Sequence, residues 1–179
     1  MRRVCVFCGS ATGAVPAYAA AARRFGECLT RRKLGLVYGG GNIGLMGVLA
    51  DAVLAGGGEV IGVIPGMLRE KELAHGALTE LHVVGSMHAR KALMAEKADA
   101  FVALPGGYGT ADEFFEMLTW RQLRLHDKPI GLLNVAGFFD PFLVWVDLMV
   151  REGFVKHANR TSLRVSEEAE SLLDLLFED

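Results

Sequence analysis

The stretch Pro105-Gly106-Gly107-Tyr108-Gly109-Thr110-Ala111-Asp112-Glu113 puts glycines, a hydroxyl and two carboxylates next to one another. The apolar run Ala100 to Leu104 before it has the length of a strand buried in a parallel sheet. Gly106, Gly107 and Gly109 let bare backbone N–H groups close on a ligand where a Cβ would hold it off. Thr110 is expected to cap a helix running from Thr110 to Arg124. The unpaired N–H groups of its first turn, at the positive end of the helix dipole, favour an anion. Glu113 then stands beside that anion, so the stretch implies chemistry on a phosphorylated small molecule.

A second cluster, Ser86-Met87-His88-Ala89-Arg90-Lys91, opens another helix with Ser86 as N-cap. Met87, Arg90, Lys91 and Met94 recur at helical spacing, so two cations share a face with two methionines. Arg90 fits such a face if it meets a buried carboxylate or a phosphate; otherwise the pair is a solvated surface. A third cluster, GGGNIGLMG, holds G-x-G-x-x-G as Gly39, Gly41 and Gly44. A dinucleotide site would also need an acidic residue at the end of the next strand, and Glu59 stands at that strand's start. These glycines therefore serve a mononucleotide or simply tight strand–helix packing. Asp112 reads as a helix-dipole partner. Glu113 and Glu116 lie on a face that continues to Trp120.

Elements that position these clusters alternate along the chain. Strands are expected at Arg3–Phe7, Gly35–Tyr38, Glu59–Ile64, Leu81–Val84, Ala100–Leu104 and Pro129–Leu133, with an edge strand at Leu163–Val165. Helices are expected at Pro16–Arg32, Ile43–Ala55, Ser86–Lys97, Thr110–Arg124, Pro141–Glu152 and Glu167–Phe177. Such alternation specifies βαβ units and an α/β, Rossmann-like, doubly wound parallel sheet flanked by helices, in one domain over residues 1–179. The turns at Cys8-Gly9-Ser10, Tyr38 to Asn42 and Pro105 to Thr110 should then lie along one sheet edge, where such sheets bind ligands.

Composition narrows the class. The 179 residues are 51% apolar with a formal net charge of −2, so a compact globular chain is expected and a general nucleic-acid surface is not. No apolar stretch has the length of a membrane span, and MRRVCVFCGS is too short an apolar run for a signal-peptide core. Three cysteines make no disulfide framework, and a cytoplasmic protein is expected. Cys5 and Cys8 have C-x-x-C spacing but lie on a strand, and the five histidines have no metal-ligand spacing. No metal or cofactor is expected.

YGGGNIGLMG at Tyr38 to Gly47, SMHARK at Ser86 to Lys91 and PGGYGTADE at Pro105 to Glu113 resemble the signatures of the "lonely guy" (LOG) family, the cytokinin riboside 5′-monophosphate phosphoribohydrolases. The resemblance extends over nearly the whole chain, through CVFCGS, VIP at Val63 to Pro65, and TWRQLRLHDKPIGLLNV at Thr119 to Val135. It implies hydrolysis of the N-glycosidic bond of a purine nucleoside 5′-monophosphate, giving free base and ribose 5-phosphate. It assigns Arg90 and Glu113 as the catalytic pair. It assigns Glu72, Lys91, Gly107, Tyr108, Gly109, Thr110, Ala111, Asp112 and Thr119 to substrate contact. It also implies a homodimer with the pocket near the subunit interface, without metal or cofactor. Family members have been called lysine decarboxylases, but only Lys91 would be at hand for a pyridoxal Schiff base.

This sequence departs from the family at Ala89, where Glu is usual, and at Asp112, the first of a usual Glu-Glu pair. The expected roles are the phosphate on Gly107 to Thr110, Glu113 under the positive charge developing at C1′, and Arg90 orienting Glu113 or a ribose hydroxyl. Met87, Met94 and Trp120 are candidates for lining an apolar base pocket. The alternatives are a nucleosidase acting mainly on AMP or a pyrimidine nucleotide, and a nucleotide or cofactor carrier of the same fold without turnover. An NAD-binding domain is disfavoured by the missing acidic residue.

Overall fold

In the computed structural model, which describes residues 1–69 and 73–177, the apolar runs form strands β1 (Arg3–Phe7), β2 (Gly35–Tyr38), β3 (Val60–Pro65), β4 (Glu80–Val84), β5 (Ala100–Ala103), β6 (Ile130–Leu133) and β7 (Leu163–Ser166). They make one sheet in the order β4-β3-β2-β1-β5-β6-β7, every neighbouring pair parallel. The chain order reverses between β1 and β5. That boundary is the switch point of a doubly wound sheet, where the connections on either side diverge and leave a crevice. The expected α/β, Rossmann-like architecture is the one observed.

The helices are α1 (Pro16–Arg31), α2 (Gly44–Ala55), α3 (Met87–Lys97), α4 (Tyr108–Gln122), α5 (Asp140–Arg151), α6 (His157–Thr161) and α7 (Ala169–Phe177). Alternation along each strand divides the core. Val4 and Val6 of β1, with Val102 of β5, face α1, α2 and α7, while Cys5, Phe7 and Phe101 face α3, α4 and α5. Both faces are covered, so the strands read as continuous apolar runs rather than alternating ones. α1 and α2 approach closely at Gly26, where an added Cβ would stand 2.9 Å from Leu49 O. All three cysteines are buried free thiols. Among the described residues no helix is long and apolar enough to cross a membrane.

Two boundaries bear on the site. Glu59 lies just outside β3 and pairs with Arg3, Nε to Oε2 2.7 Å, at the amino end of the sheet. It is therefore remote from the strand ends where a ribose would bind. α4 begins at Tyr108 rather than Thr110; its N-cap is Gly107, in extended backbone with no side-chain cap. Thr110 lies inside the first turn because the Gly107 backbone can swing into the cap conformation without help from a hydroxyl. α6 was not anticipated, being too short to carry a periodic signal.

Candidate active site

The parallel sheet brings three glycine turns to one edge, and backbone hydrogen bonds stitch them together. Gly9 N–H donates to Pro105 O at 3.0 Å, and Leu45 N–H donates to Gly9 O at 3.0 Å. At Gly44, φ is +61°, and a Cβ there would run into Ser10 and Ala11. A Cβ on Gly106 would overlap the Thr110 hydroxyl and lie 2.9 Å from Gly9 N. Gly39 and Gly44 of the G-x-G-x-x-G run thus serve close packing against a side chain and a neighbouring loop.

α4 points its amino end into this junction. Its first intrahelical bond is from Ala111 N–H to Gly107 O, 3.1 Å, so the amides of Tyr108, Gly109 and Thr110 precede the ladder. Around Gly107 and Gly109 a Cβ would meet nothing within 4 Å, and Tyr108 is 97% exposed. The turn is open to an incoming anion, with amides and helix dipole both favouring one. Thr110 is buried against Gly106, whereas Ala111 and Asp112 are exposed and Glu113 is buried. Cavities flank the turn on two sides. One of about 220 Å³ is lined by Ser10, Thr12 and Tyr18; another of about 280 Å³ is lined by Phe114, Phe115, Phe138 and Phe139.

α3 supplies the cation. Ser86 caps it as expected, its hydroxyl accepting from Ala89 N–H at 3.1 Å. Arg90 and Lys91 are both buried, 5% and 8% exposed, so the solvated-surface reading of this pair fails. Arg90 Nε donates to Val63 O at 3.1 Å and Nη2 to Gly39 O at 2.8 Å, tying α3 to β3 and to the residue just past β2. A Cβ on Gly39 would collide with that guanidinium. Arg90 and Glu113 both act electrostatically on the buried Cys5 thiol. Burial pushes the Cys5 thiol well above its ordinary range; Glu113 raises it further, and Arg90 pulls it back.

Lys91 Nζ lies 3.0 Å from Asp112 Oδ2 and 3.0 Å from Glu116 Oε2, bridging α3 to α4. Burial pulls its ammonium down, but the two carboxylates outweigh that and hold it above its usual value. Met87 is half-buried, its Sδ 3.9 Å from Arg90 Nη1. Met94 is fully buried in the core, and Trp120 packs against the same core from the far end of α4, so neither faces the turn. Thr119 lies nine residues past Thr110, about 13 Å along the helix. Its hydroxyl donates to Phe115 O at 2.8 Å, and it lines a groove of about 290 Å³ with Val146 and Met149 of α5. Glu72 lies outside the described residues. Sequence reasoning missed the backbone carbonyls that hold Arg90, since carbonyls carry no residue signature.

Gly39→Ala tests this packing. Displacing the guanidinium from its two carbonyls is expected to cost about 1–3 kcal/mol of stability, measured by chemical denaturation, as overpacking does elsewhere.

Comparison with known proteins gives the geometry a context. A family model described as "possible lysine decarboxylase" matches residues 46–176. The chain is 51% identical over 172 residues to a probable cytokinin riboside 5′-monophosphate phosphoribohydrolase of Oryza sativa subsp. japonica, covering 96% of this chain and 70% of the relative. It is 48% identical over 177 residues to a cytokinin riboside 5′-monophosphate phosphoribohydrolase of Arabidopsis thaliana, covering 99% and 83%. Among solved structures, the molybdenum cofactor carrier protein of Chlamydomonas reinhardtii superposes with a TM-score of 0.71 at 21% identity, covering 98% of each chain. A molybdenum cofactor binding protein of Rippkaea orientalis superposes at 0.72 and 20%, covering 98% and 95%. At that identity the likeness establishes the fold. Among the described residues, the lysine at this site, Lys91, is committed to two carboxylates, which does not suit it to a Schiff base. At about half identity over nearly its whole length, this chain belongs to the LOG family of cytokinin riboside 5′-monophosphate phosphoribohydrolases.

Proposed function

We propose that this chain hydrolyses the N-glycosidic bond of cytokinin riboside 5′-monophosphates, and of AMP, releasing free base and ribose 5-phosphate. The observation that carries this reading is one open anion turn, Gly107 to Thr110, followed within a helical turn by the buried carboxylate Glu113. The close relatives bearing that name support the substrate class.

In this reading the 5′-phosphate rests on the amides of Tyr108, Gly109 and Thr110. That anchoring holds the ribose over Glu113, and the binding energy of the phosphate is spent on positioning C1′. As the bond from C1′ to the base nitrogen breaks, its electron pair leaves with the base, which takes up a proton. Positive charge grows on C1′ and the ring oxygen, and Glu113 stabilises it from a dry, preorganised position. Water adds its oxygen to C1′ and gives a proton to Glu113 or to solvent. Arg90, fixed on Gly39 O and Val63 O, holds the pocket wall and orients Glu113 or a ribose hydroxyl.

The same reading makes the protein a cytoplasmic homodimer, with residues 1–179 acting as one unit. Val144, Trp145 and Leu148 of α5 form an exposed apolar strip beside the groove that contains Thr119. Exposed apolar patches of this kind mark association surfaces. A dimer formed there would also give Thr119 a route to substrate that it lacks within one chain.

Two outcomes are expected. Glu113→Gln loses about 10²–10³ in kcat for release of adenine from AMP or isopentenyladenine from its riboside monophosphate, read by chromatography. Near wild-type turnover would remove Glu113 from the mechanism, and binding of both nucleotides without any turnover by the wild type would make the protein a carrier. Trp145→Glu is expected to shift sedimentation equilibrium from a dimer toward the 19.3 kDa monomer; a monomeric wild type would contradict the dimer.

A further inference from the structure

The Lys91 ammonium donates to Asp112 Oδ2 at 3.0 Å and forms an ion pair with Glu116 Oε2, also at 3.0 Å. It is 8% exposed, while the Asp112 carboxylate it meets lies toward solvent. Asp112 and Glu116 are i and i+4 on α4, on the face turned to α3, and Glu113 stands between them in sequence. Three carboxylates therefore occupy little more than one turn at the end of the helix where the phosphate is to bind. Two of them compete with the phosphate for the same positive potential. The shortening of the usual Glu to Asp112 leaves the Lys91 contact intact.

Resting on the hydrolase reading above, we infer that Lys91 is a positioning residue rather than a ligand of the substrate: it neutralises Asp112 and Glu116 and holds them toward α3. In that reading Glu113 is the buried carboxylate that acts on the sugar. A substrate phosphate would have to pull Lys91 away from two carboxylates, uncovering two negative charges beside itself. Neutralisation in place favours the anion without that exchange. Because the effect is electrostatic and acts on binding, it belongs in KM, grows at low ionic strength, and leaves kcat little changed.

The test compares wild type, Lys91→Met, Asp112→Asn/Glu116→Gln, and the triple variant, with AMP as substrate at two salt concentrations. Lys91→Met is expected to raise KM roughly tenfold or more, most at low salt, as two uncompensated carboxylates face a phosphate dianion. The triple variant is expected to recover most of that loss. Should Lys91→Met fail to fold with two carboxylates left unpaired, the decisive pair remains: adding Lys91→Met to Asp112→Asn/Glu116→Gln is expected to leave KM within about twofold. A tenfold rise in that background would overturn the proposal and make Lys91 a direct phosphate ligand. Dissociation constants for AMP from calorimetry give the same comparison without turnover. A wild type that binds but does not hydrolyse AMP therefore removes the hydrolase reading alone.

Discussion

A buried guanidinium is costly unless its hydrogen bonds are met, and Arg90 meets two of them on the backbone carbonyls of Gly39, just past β2, and Val63, within β3. Much of the local architecture follows from that demand. Gly39 must lack a side chain, because the guanidinium occupies the space a Cβ would take. The amino end of α3 must sit over β2 and β3, which the Ser86 cap and the buried Met94 secure. With α3 fixed there, α4 is left to cover β1 and β5 and to direct its amides into the switch-point crevice. The bridge from Lys91 to Asp112 and Glu116 then sets the spacing of the two helices.

The proposed mechanism separates binding from chemistry on a single helix. The first two residues of α4, Tyr108 and Gly109, are open and offer amides, whereas Glu113, little more than one turn on, is buried. In the proposed mechanism an anion is held where water can be displaced cheaply, and the carboxylate acts where the local dielectric is low. Proteins sharing this sheet at about 20% identity are named for carrying or binding a molybdenum cofactor. The fold alone does not decide between holding and hydrolysing; side chains around the turn do.

Strand positions were legible in the sequence because a doubly covered parallel strand is apolar at every position, and runs such as Arg3–Phe7 and Gly35–Tyr38 match the structure to the residue. The Ser86 cap was legible too, its hydroxyl standing three residues before the amide it satisfies. Thr110 misled because a hydroxyl beside a helix start imitates a cap, while Gly107 took that place through its own backbone. The face carrying Arg90 and Lys91 was ambiguous: its burial depends on the carbonyls of Gly39 and Val63 and carboxylates of α4, which helical spacing within α3 cannot reveal. Trp120 continues the face of Glu113 and Glu116 and Thr119 is assigned by resemblance, yet a straight helix carries both away from the turn.

The central claim is that anchoring a phosphate at the amino end of α4 is what brings C1′ to Glu113. It is tested most directly by comparing kcat/KM for release of adenine from AMP and from adenosine by the wild-type protein. Adenosine is expected to be at least about a thousandfold poorer, much of the loss in kcat, because the phosphate's binding energy is what positions the sugar. Comparable values for the two would contradict the account, since the carboxylate would then be finding C1′ without the anion turn.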